Sequence, residues 1–253
     1  MYGINDHPVV ELDDLIDWEG YVELKDEVDF GLAQAEWEMG SFGPGVYHKD
    51  LGRDLYHIEQ AVYYGQEDEK IKERLVQLGT QNRRRLYLKL KYGLYNPNSS
   101  VYLRKPIGGD YLKIEYEEGC EDTSNTQFFP NLMQWIRRLP MEEVGRVLLF
   151  VNEHSCHVQE HSDFKHSRQD RGYKANNPHQ YEFIWIRDSL ETSKSFYVLD
   201  ELTGNKFYVE GHAAWFNSFD VHGADPSPNM TYSLRVDGRF TTSFRAQILG
   251  QLK

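Results

Sequence analysis

Residues 208–240 read YVEGHAAWFNSFDVHGADPSPNMTYSLRVDGRF. A glycine turn is followed by an aromatic-rich run, by His222-Gly223, by a loop with two prolines and by a run that contains Arg235. Short runs of apolar and aromatic residues between glycine and proline turns are typical of antiparallel β-strands. The stretch therefore predicts successive short strands, with a histidine beside one of the turns.

The same pattern extends over the chain from about residue 100. We expect a strand at 111–116 and a short helix over 129–139, between Pro130 and Pro140. Further strands are predicted at 145–151, 158–163, 181–187, 195–200, 206–210, 213–219, 231–236 and 240–247, with a hairpin turn at 202–205. Short strands with turns between them favour a mainly β fold with a jelly-roll core, the cupin-like double-stranded β-helix, over a parallel α/β sheet.

The first hundred residues have a different character. Apolar residues at three- and four-residue steps predict helices over 51–64 and 66–92. The first fifty residues are acidic and aromatic, and we expect short helices or an edge strand there. Two regions follow: a mostly helical lobe at 1–100 packed on the core, and a jelly-roll core at 101–253.

Composition narrows the functional classes. The chain has 253 residues and a net charge of -12, which disfavours nonspecific nucleic-acid binding because such binding neutralises phosphates. Two cysteines are too few for a disulfide framework, so we expect a reducing compartment. No secretory signal or membrane span is visible in the sequence, and the expected location is the cytoplasm.

Three residues form the candidate metal site. His161 and Asp163 are two apart, so on a strand they face the same side. With His222 they supply two imidazoles and one carboxylate, a ligand set that suits iron(II) and leaves one face of the ion open. His212 is the rival for the distal position, and His157 is the rival for His161.

A cation follows the metal site. Thr231, Ser233 and Arg235 alternate on one face of the strand after the distal histidine. A guanidinium there can bind a dicarboxylate in bidentate fashion, beside a hydroxyl group. Two alternatives stay open: Arg235 pairs with Asp237 or another acid, or Arg239 is the clamp.

This order of groups resembles the iron(II)/2-oxoglutarate-dependent oxygenases. Within that class, residues 128–240 look most like the aspartyl/asparaginyl β-hydroxylases, a family that includes small proline hydroxylases. Many members carry the cosubstrate arginine where this chain has Thr231, which is a departure from the pattern. The resemblance rests on Phe129-Pro130, the strand at 145–149, His161-Ser162-Asp163 and Trp215-Phe216-Asn217.

The resemblance implies a fold, an activity and a set of site residues. Iron(II) would be held by His161, Asp163 and His222, and 2-oxoglutarate by Arg235 with help from a neighbouring hydroxyl. The implied reaction hydroxylates an aliphatic C–H bond of an amino-acid residue, in a protein or free, and releases succinate and carbon dioxide. The alternatives are a jelly-roll protein that binds a ligand or partner without catalysis, and another cupin-type metalloenzyme.

Overall fold

The computed structural model describes residues 1–35, 98–107, 119–152, 158–163, 182–187, 195–225 and 231–252. The predicted helices at 51–64 and 66–92 and the predicted strand at 111–116 lie outside these ranges. The helical lobe and the division of the chain near residue 100 therefore stay predictions.

The described strands form two antiparallel sheets. The larger sheet has the order β1-β9-β6-β11-β4-β2-β3, and the smaller has the order β5-β10-β7-β8. This arrangement confirms the mainly β, antiparallel part of the prediction and is compatible with a jelly-roll core. The strands are β1 Val9–Glu11, β2 Asn98–Pro106, β3 Cys120–Asp122, β4 Met141–Asn152, β5 Val158–His161, β6 Glu182–Arg187, β7 Phe196–Leu199, β8 Lys206–Tyr208, β9 Ala213–Phe216, β10 Val221–Ala224 and β11 Thr231–Phe240.

Two of the described helices bond to the larger sheet through side chains, at Tyr232 and at Glu182. The helices are α1 Trp18–Val22, α2 Lys25–Gln34, α3 Pro130–Ile136 and α4 Thr242–Gln251, with a 3-10 turn at Ser124–Phe128. Along β11, the apolar side chains of Tyr232, Leu234 and Val236 point to one face, and the polar side chains between them point to the other. The Tyr232 hydroxyl accepts a hydrogen bond from Lys25 of α2. The polar side of β11 therefore faces away from the helices.

The strand predicted at 240–247 is wrong, because α4 occupies most of this segment. Thr241 caps the helix by accepting a hydrogen bond from the Phe244 N–H at 3.2 Å. Phe244 and Ile248 are buried, and their four-residue spacing places both on the inner side of a helix. Arg245 fixes α4 to the sheet through a bidentate pair with buried Glu182, at 2.6 and 2.8 Å.

The strand predicted at 213–219 is also wrong in extent. β9 ends at Phe216, a turn follows, and β10 then begins at Val221 in the other sheet. The turn is closed by the Asp220 N–H, which donates to the Asn217 carbonyl at 2.9 Å. Asn217 also accepts the Phe219 N–H through its side chain at 3.1 Å. Asparagine and aspartate favour such turns, and this signal marks the break between the sheets.

The hairpin predicted at 202–205 is confirmed. The Asp200 N–H donates to the Asn205 carbonyl at 2.9 Å, and Gly204 adopts a φ of 75°, which favours glycine. The short helix expected over 129–139 is confirmed as α3, and an edge strand among the first fifty residues is confirmed as β1. Among the described helices, none is long and apolar enough to cross a membrane.

Candidate metal centre

Two neighbouring strands of the smaller sheet bring the predicted ligands together. β5 and β10 are antiparallel, and His161 stands directly opposite His222. The two imidazole ring centroids are 4.5 Å apart. Asp163 follows β5 by two residues, so its carboxylate lies on the same side as both rings.

The three side chains form a compact cluster around one oxygen atom. Asp163 Oδ1 lies 3.7 Å from His161 Nε2 and 3.6 Å from His222 Nε2, and one ligand atom from each residue lies within 4.8 Å of the others. A six-coordinate ion with bonds of about 2.1 Å places neighbouring ligand atoms about 3.0 Å apart. The observed separations are wider than this, and the donor set of two imidazoles and one carboxylate suits a divalent ion such as iron(II).

The turn between β9 and β10 supports this cluster through three consecutive carbonyl groups. The Asp163 N–H donates to the Ser218 carbonyl at 3.2 Å, and the Ser162 hydroxyl donates to the Phe219 carbonyl at 3.0 Å. His222 Nδ1 lies 2.9 Å from the Asp220 carbonyl. In the neutral imidazole, that carbonyl holds the proton on Nδ1 and leaves the Nε2 lone pair for a metal.

A close contact between strands explains Gly223. A Cβ atom at this position would lie 2.9 Å from the Val158 carbonyl oxygen and 3.0 Å from the Tyr197 hydroxyl. The sequence suggested that glycine allows a sharp turn after His222, but residue 223 lies within β10. Its role is to let β5, β7 and β10 approach closely, which sets the distance between the two histidines.

Asp163 also begins a chain of alternating charges that leads to the larger sheet. Asp163 Oδ2 accepts a hydrogen bond from Arg235 Nη1 at 3.0 Å, and Arg235 Nε donates to Asp237 at 2.7 Å. Arg146 Nε donates to the other oxygen of Asp237 at 2.7 Å. The Arg235 guanidinium lies over the Phe183 ring, 4.0 Å from its centroid. The sequence named Asp237 only as an alternative partner, and Arg146 was missed.

These contacts shift the acidities of the carboxyl groups. Burial acts to raise the pKa of Asp163, but His222, Arg235 and His161 together hold it well below its usual range. Burial likewise opposes ionisation of Asp237, and the adjacent guanidinium groups still lower its pKa. Both groups are therefore carboxylates near neutral pH, as metal ligation and ion pairing require.

The other predicted site residues that the structure describes are not part of the cluster of His161, Asp163 and His222. Thr231 and Ser233 are buried on β11, on the same face as Arg235, and the Arg235 guanidinium bonds to Asp237 and Asp163. Arg239 is exposed on β11. His212 lies outside the cluster and stacks on Trp18, with ring centroids 3.9 Å apart. Residue 157, the other rival, is outside the described ranges.

Aromatic side chains form the apolar wall of the centre. Phe216 lies 5.0 Å and Phe196 lies 5.7 Å from the His222 ring, measured between centroids. Phe196 also contacts Trp185 of the larger sheet at 5.1 Å. His222 is 3% exposed behind this wall, whereas the side chains of His161 and Asp163 are 31% and 23% exposed. Within this cluster, solvent therefore reaches His161 and Asp163 but not His222.

Comparisons with known proteins give distant matches. No protein-family model matches the chain, and no curated protein does. Among solved structures, an oxidoreductase of the 2OG-Fe(II) oxygenase family from Burkholderia pseudomallei matches at 14% identity and a TM-score of 0.33, over 55% of this chain and 67% of that chain. A prolyl-4-hydroxylase from Pseudomonas putida matches at 14% identity and a TM-score of 0.30, over 86% and 99% of the two chains.

A prolyl hydroxylase from Trichoplax adhaerens, in complex with a peptide fragment of the hypoxia inducible factor oxygen degradation domain, matches at 11% identity and a TM-score of 0.31. That match covers 90% of this chain and 94% of the other. None of these three is named as an aspartyl/asparaginyl β-hydroxylase, so the narrower resemblance gains no support.

Proposed function

We propose that this protein is an iron(II)- and 2-oxoglutarate-dependent dioxygenase that hydroxylates an aliphatic C–H bond of an amino-acid residue, in a protein or free. The convergence of His161, Asp163 and His222 carries this proposal. Two imidazoles and one carboxylate hold one face of iron(II) and leave the opposite positions for oxygen and a cosubstrate. A buried guanidinium, Arg235, is hydrogen-bonded to the same carboxylate.

Charge balance supports a dianionic cosubstrate. Arg146, Asp237, Arg235 and Asp163 are linked by ion pairs and are neutral as a group. A divalent cation adds two positive charges to this partly buried region, and uncompensated buried charge is costly. A dicarboxylate such as 2-oxoglutarate cancels both charges, so metal and cosubstrate bind best together.

The residues of β11 have distinct roles in this proposal. Arg235 directs Nε and Nη1 to carboxylates of the protein, which leaves Nη2 for the distal carboxylate of the cosubstrate. Ser233 lies two residues away, about 7 Å along a strand, and adds a hydroxyl to the same polar face. Thr231 lies about 13 Å from Arg235 by the same geometry and lines the far end of this face.

The bound iron would supply oxygen activation, coupled to the conversion of 2-oxoglutarate to succinate and carbon dioxide. The protein would orient the ligands through the turn carbonyls that hold Asp163, Ser162 and His222. Asp163 occupies a coordination position that a halide would otherwise need, which favours hydroxylation over halogenation. The wall of Trp185, Phe196 and Phe216 keeps the buried side of the centre apolar.

Metal binding is the first test. Purified protein is titrated anaerobically with iron(II), with His222→Ala as the test variant and His212→Ala as its matched control. Wild type and His212→Ala should bind iron with similar affinity, whereas His222→Ala should lose tight binding. Equal loss in both histidine variants, or no tight binding in wild type, would contradict the metal site and favour a jelly-roll protein without iron.

Cosubstrate binding is the second test. Adding 2-oxoglutarate to the iron-loaded protein should produce a weak visible charge-transfer band, and air should then yield succinate. Arg235→Met should weaken this band, whereas exposed Arg239→Met should leave it unchanged. A band that survives Arg235→Met and disappears with Arg239→Met would assign the clamp to Arg239. Iron binding without any response to 2-oxoglutarate would point to another cupin-type metalloenzyme.

The proposed substrate is an amino acid or a peptide segment. Within the cluster, solvent reaches the side chains of His161 and Asp163. An amino acid or a peptide segment entering there would meet the metal directly. Succinate release from the iron-loaded protein, measured with and without free amino acids and peptide mixtures, should rise when the right class is present.

A further inference from the structure

The amino-terminal residues reach the turn that supports the metal centre. The backbone N–H groups of Tyr2 and Gly3 donate to the two carboxylate oxygens of Asp220, the latter at 2.7 Å. Asn217 donates from its side chain to the Gly3 carbonyl at 3.1 Å. Asn217 and Asp220 are only 2% and 3% exposed, and the two bonds that involve Gly3 are buried. A buried carboxylate without such partners would be strongly disfavoured.

Asp220 contacts the metal centre through its main chain at the same time. Its carbonyl accepts the hydrogen bond from His222 Nδ1 at 2.9 Å. The carbonyls of Ser218 and Phe219, in the same turn, hold Asp163 and Ser162. Asp220 therefore links the amino-terminal segment, which fixes its side chain, to the metal centre, where its carbonyl orients His222.

We infer that Asp220, fixed by the N–H groups of Tyr2 and Gly3, is a positioning residue that orients His222 for metal binding. The inference rests on the proposed metal site. It adds the amino-terminal segment as a second layer of support behind the histidine. Groups that orient metal ligands commonly alter metal affinity by about 10- to 100-fold when they are changed.

The simpler alternative is that Asp220 merely anchors the amino-terminal segment. Asp13 provides a matched control, because its carboxylate makes the same type of contact away from the metal centre. Its oxygens accept the N–H groups of His212 at 2.9 Å and Ala213 at 2.8 Å. Asp13 therefore ties the same amino-terminal region to the sheet without contacting His161, Asp163 or His222.

The first experiment compares Asp220→Asn with Asp13→Asn in the full chain. The amide keeps the size of the carboxylate but turns one acceptor into a donor, so one N–H partner is lost in each variant. Thermal unfolding should show similar destabilisation. The dissociation constant for iron(II), measured anaerobically, should rise about tenfold in Asp220→Asn and less than about twofold in Asp13→Asn. Equal changes in both variants would overturn the inference.

A second pair of variants leaves Asp220 intact. Tyr2→Pro removes the N–H donor at an exposed residue, whereas Tyr2→Ala keeps the donor and removes only the ring. Tyr2→Pro should raise the dissociation constant for iron(II) by about threefold, below the effect of changing Asp220 itself. Tyr2→Ala should leave it unchanged. The same constant in Tyr2→Pro and wild type would contradict the proposed link.

A measurement on metal-free protein separates this inference from the proposed function. Nitrogen-15 NMR of the histidine rings should show His222 protonated at Nδ1 in its neutral form, and Asp220→Asn should produce a mixture of both tautomers. If wild type binds no iron but the tautomer still responds to Asp220→Asn, the metal proposal fails and the positioning role stands. An unchanged tautomer in Asp220→Asn would overturn the positioning role.

Discussion

The two oxygens of Asp163 face two regions that are built differently. Oδ1 faces His161 and His222 on the smaller sheet, whose positions depend on strand register and on carbonyl groups of one turn. Oδ2 faces Arg235 on the larger sheet, where side-chain ion pairs hold the structure. The first region is partly open to solvent, whereas Arg235 and Asp237 have side chains 9% and 6% exposed.

Substitutions in the histidine region and in the arginine region should have different consequences. In the histidine region, a small displacement changes coordination geometry but leaves no buried charge behind. In the arginine region, removal of one group leaves its partner charged and desolvated. Substitutions in the two regions should therefore affect metal affinity and folding stability in different proportions.

The largest effect is expected from Asp237→Ala. This change leaves Arg146 and Arg235 without their shared carboxylate, and breaking a buried ion pair in this way costs about 3–5 kcal/mol. The free energy of unfolding, measured with urea on metal-free protein, should fall by that amount. Asp225→Ala is the control, because the Asp225–Lys206 pair is more exposed and should contribute little. Similar losses in both variants would remove the distinction between the regions.

Asp163→Ala should affect metal affinity more strongly than the free energy of unfolding. Loss of this proposed metal ligand should weaken iron(II) binding by at least about a hundredfold, more than the loss of an orienting group commonly does. Its effect on unfolding should be smaller than that of Asp237→Ala, because Arg235 keeps its bond to Asp237. Calorimetry gives the affinity and urea denaturation gives the stability. A large loss of stability with unchanged metal affinity would contradict the assignment of Asp163.

Acid should weaken both regions in metal-free protein. The pKa values of Asp163 and Asp237 are lowered in the folded state, so the unfolded chain takes up protons first as the pH falls below about 4. Their stabilisation is fully present above that range and is lost as the pH falls through the folded pKa values. Urea unfolding between about pH 6 and pH 3 should show this decrease. Asp237→Asn should have a flatter dependence, and an unchanged dependence would count against the ion-pair account.

The smallest effect is expected on the outer face of the smaller sheet. Tyr197 donates from its hydroxyl to Glu160 at 3.1 Å, joining β7 to β5 across Gly223. Tyr197→Phe should cost about 1 kcal/mol of unfolding free energy and weaken metal binding slightly. Tyr208→Phe removes a comparable bond, to Asp225 at 2.8 Å, that does not reach β5. It should leave metal affinity unchanged, and an equal change in both variants would rule out a role for the Tyr197 bond.

Local spacing predicts only the first part of the ligand set, and the resemblance to the oxygenases supplies the choice of His222 and Arg235. His161 and Asp163 fall on one side of a strand by their spacing, and His222 and Arg235 follow in the expected order. The proximity of His161 to His222 depends on the pairing of β5 with β10. The pairing of Arg146 with Asp237 depends on the register between β4 and β11. Residues far apart in the chain give no local signal of such contacts.

Two of the errors in element boundaries have local causes. Phe240, Phe244 and Ile248 repeat every four residues. Residues four apart lie on the same face of a helix and also on the same face of a strand, so this spacing fits both. Packing of these side chains beneath the sheet favours the helix. The turn at 217–220 separates β9 from β10, and Asn217 and Asp220 are residues that favour turns. The aromatic residues on either side of Asn217 make the segment resemble one continuous strand.

The most direct test of a single site joined by Asp163 is calorimetric titration of 2-oxoglutarate into the protein with and without bound iron(II), under anaerobic conditions. Because the ion-paired cluster of Asp163, Arg235, Asp237 and Arg146 is neutral by itself, the dicarboxylate should bind tightly only after the metal is present. Arg235→Met should remove most of that metal-dependent gain. Equal affinity with and without iron would contradict the proposal that the histidine and arginine regions form one centre.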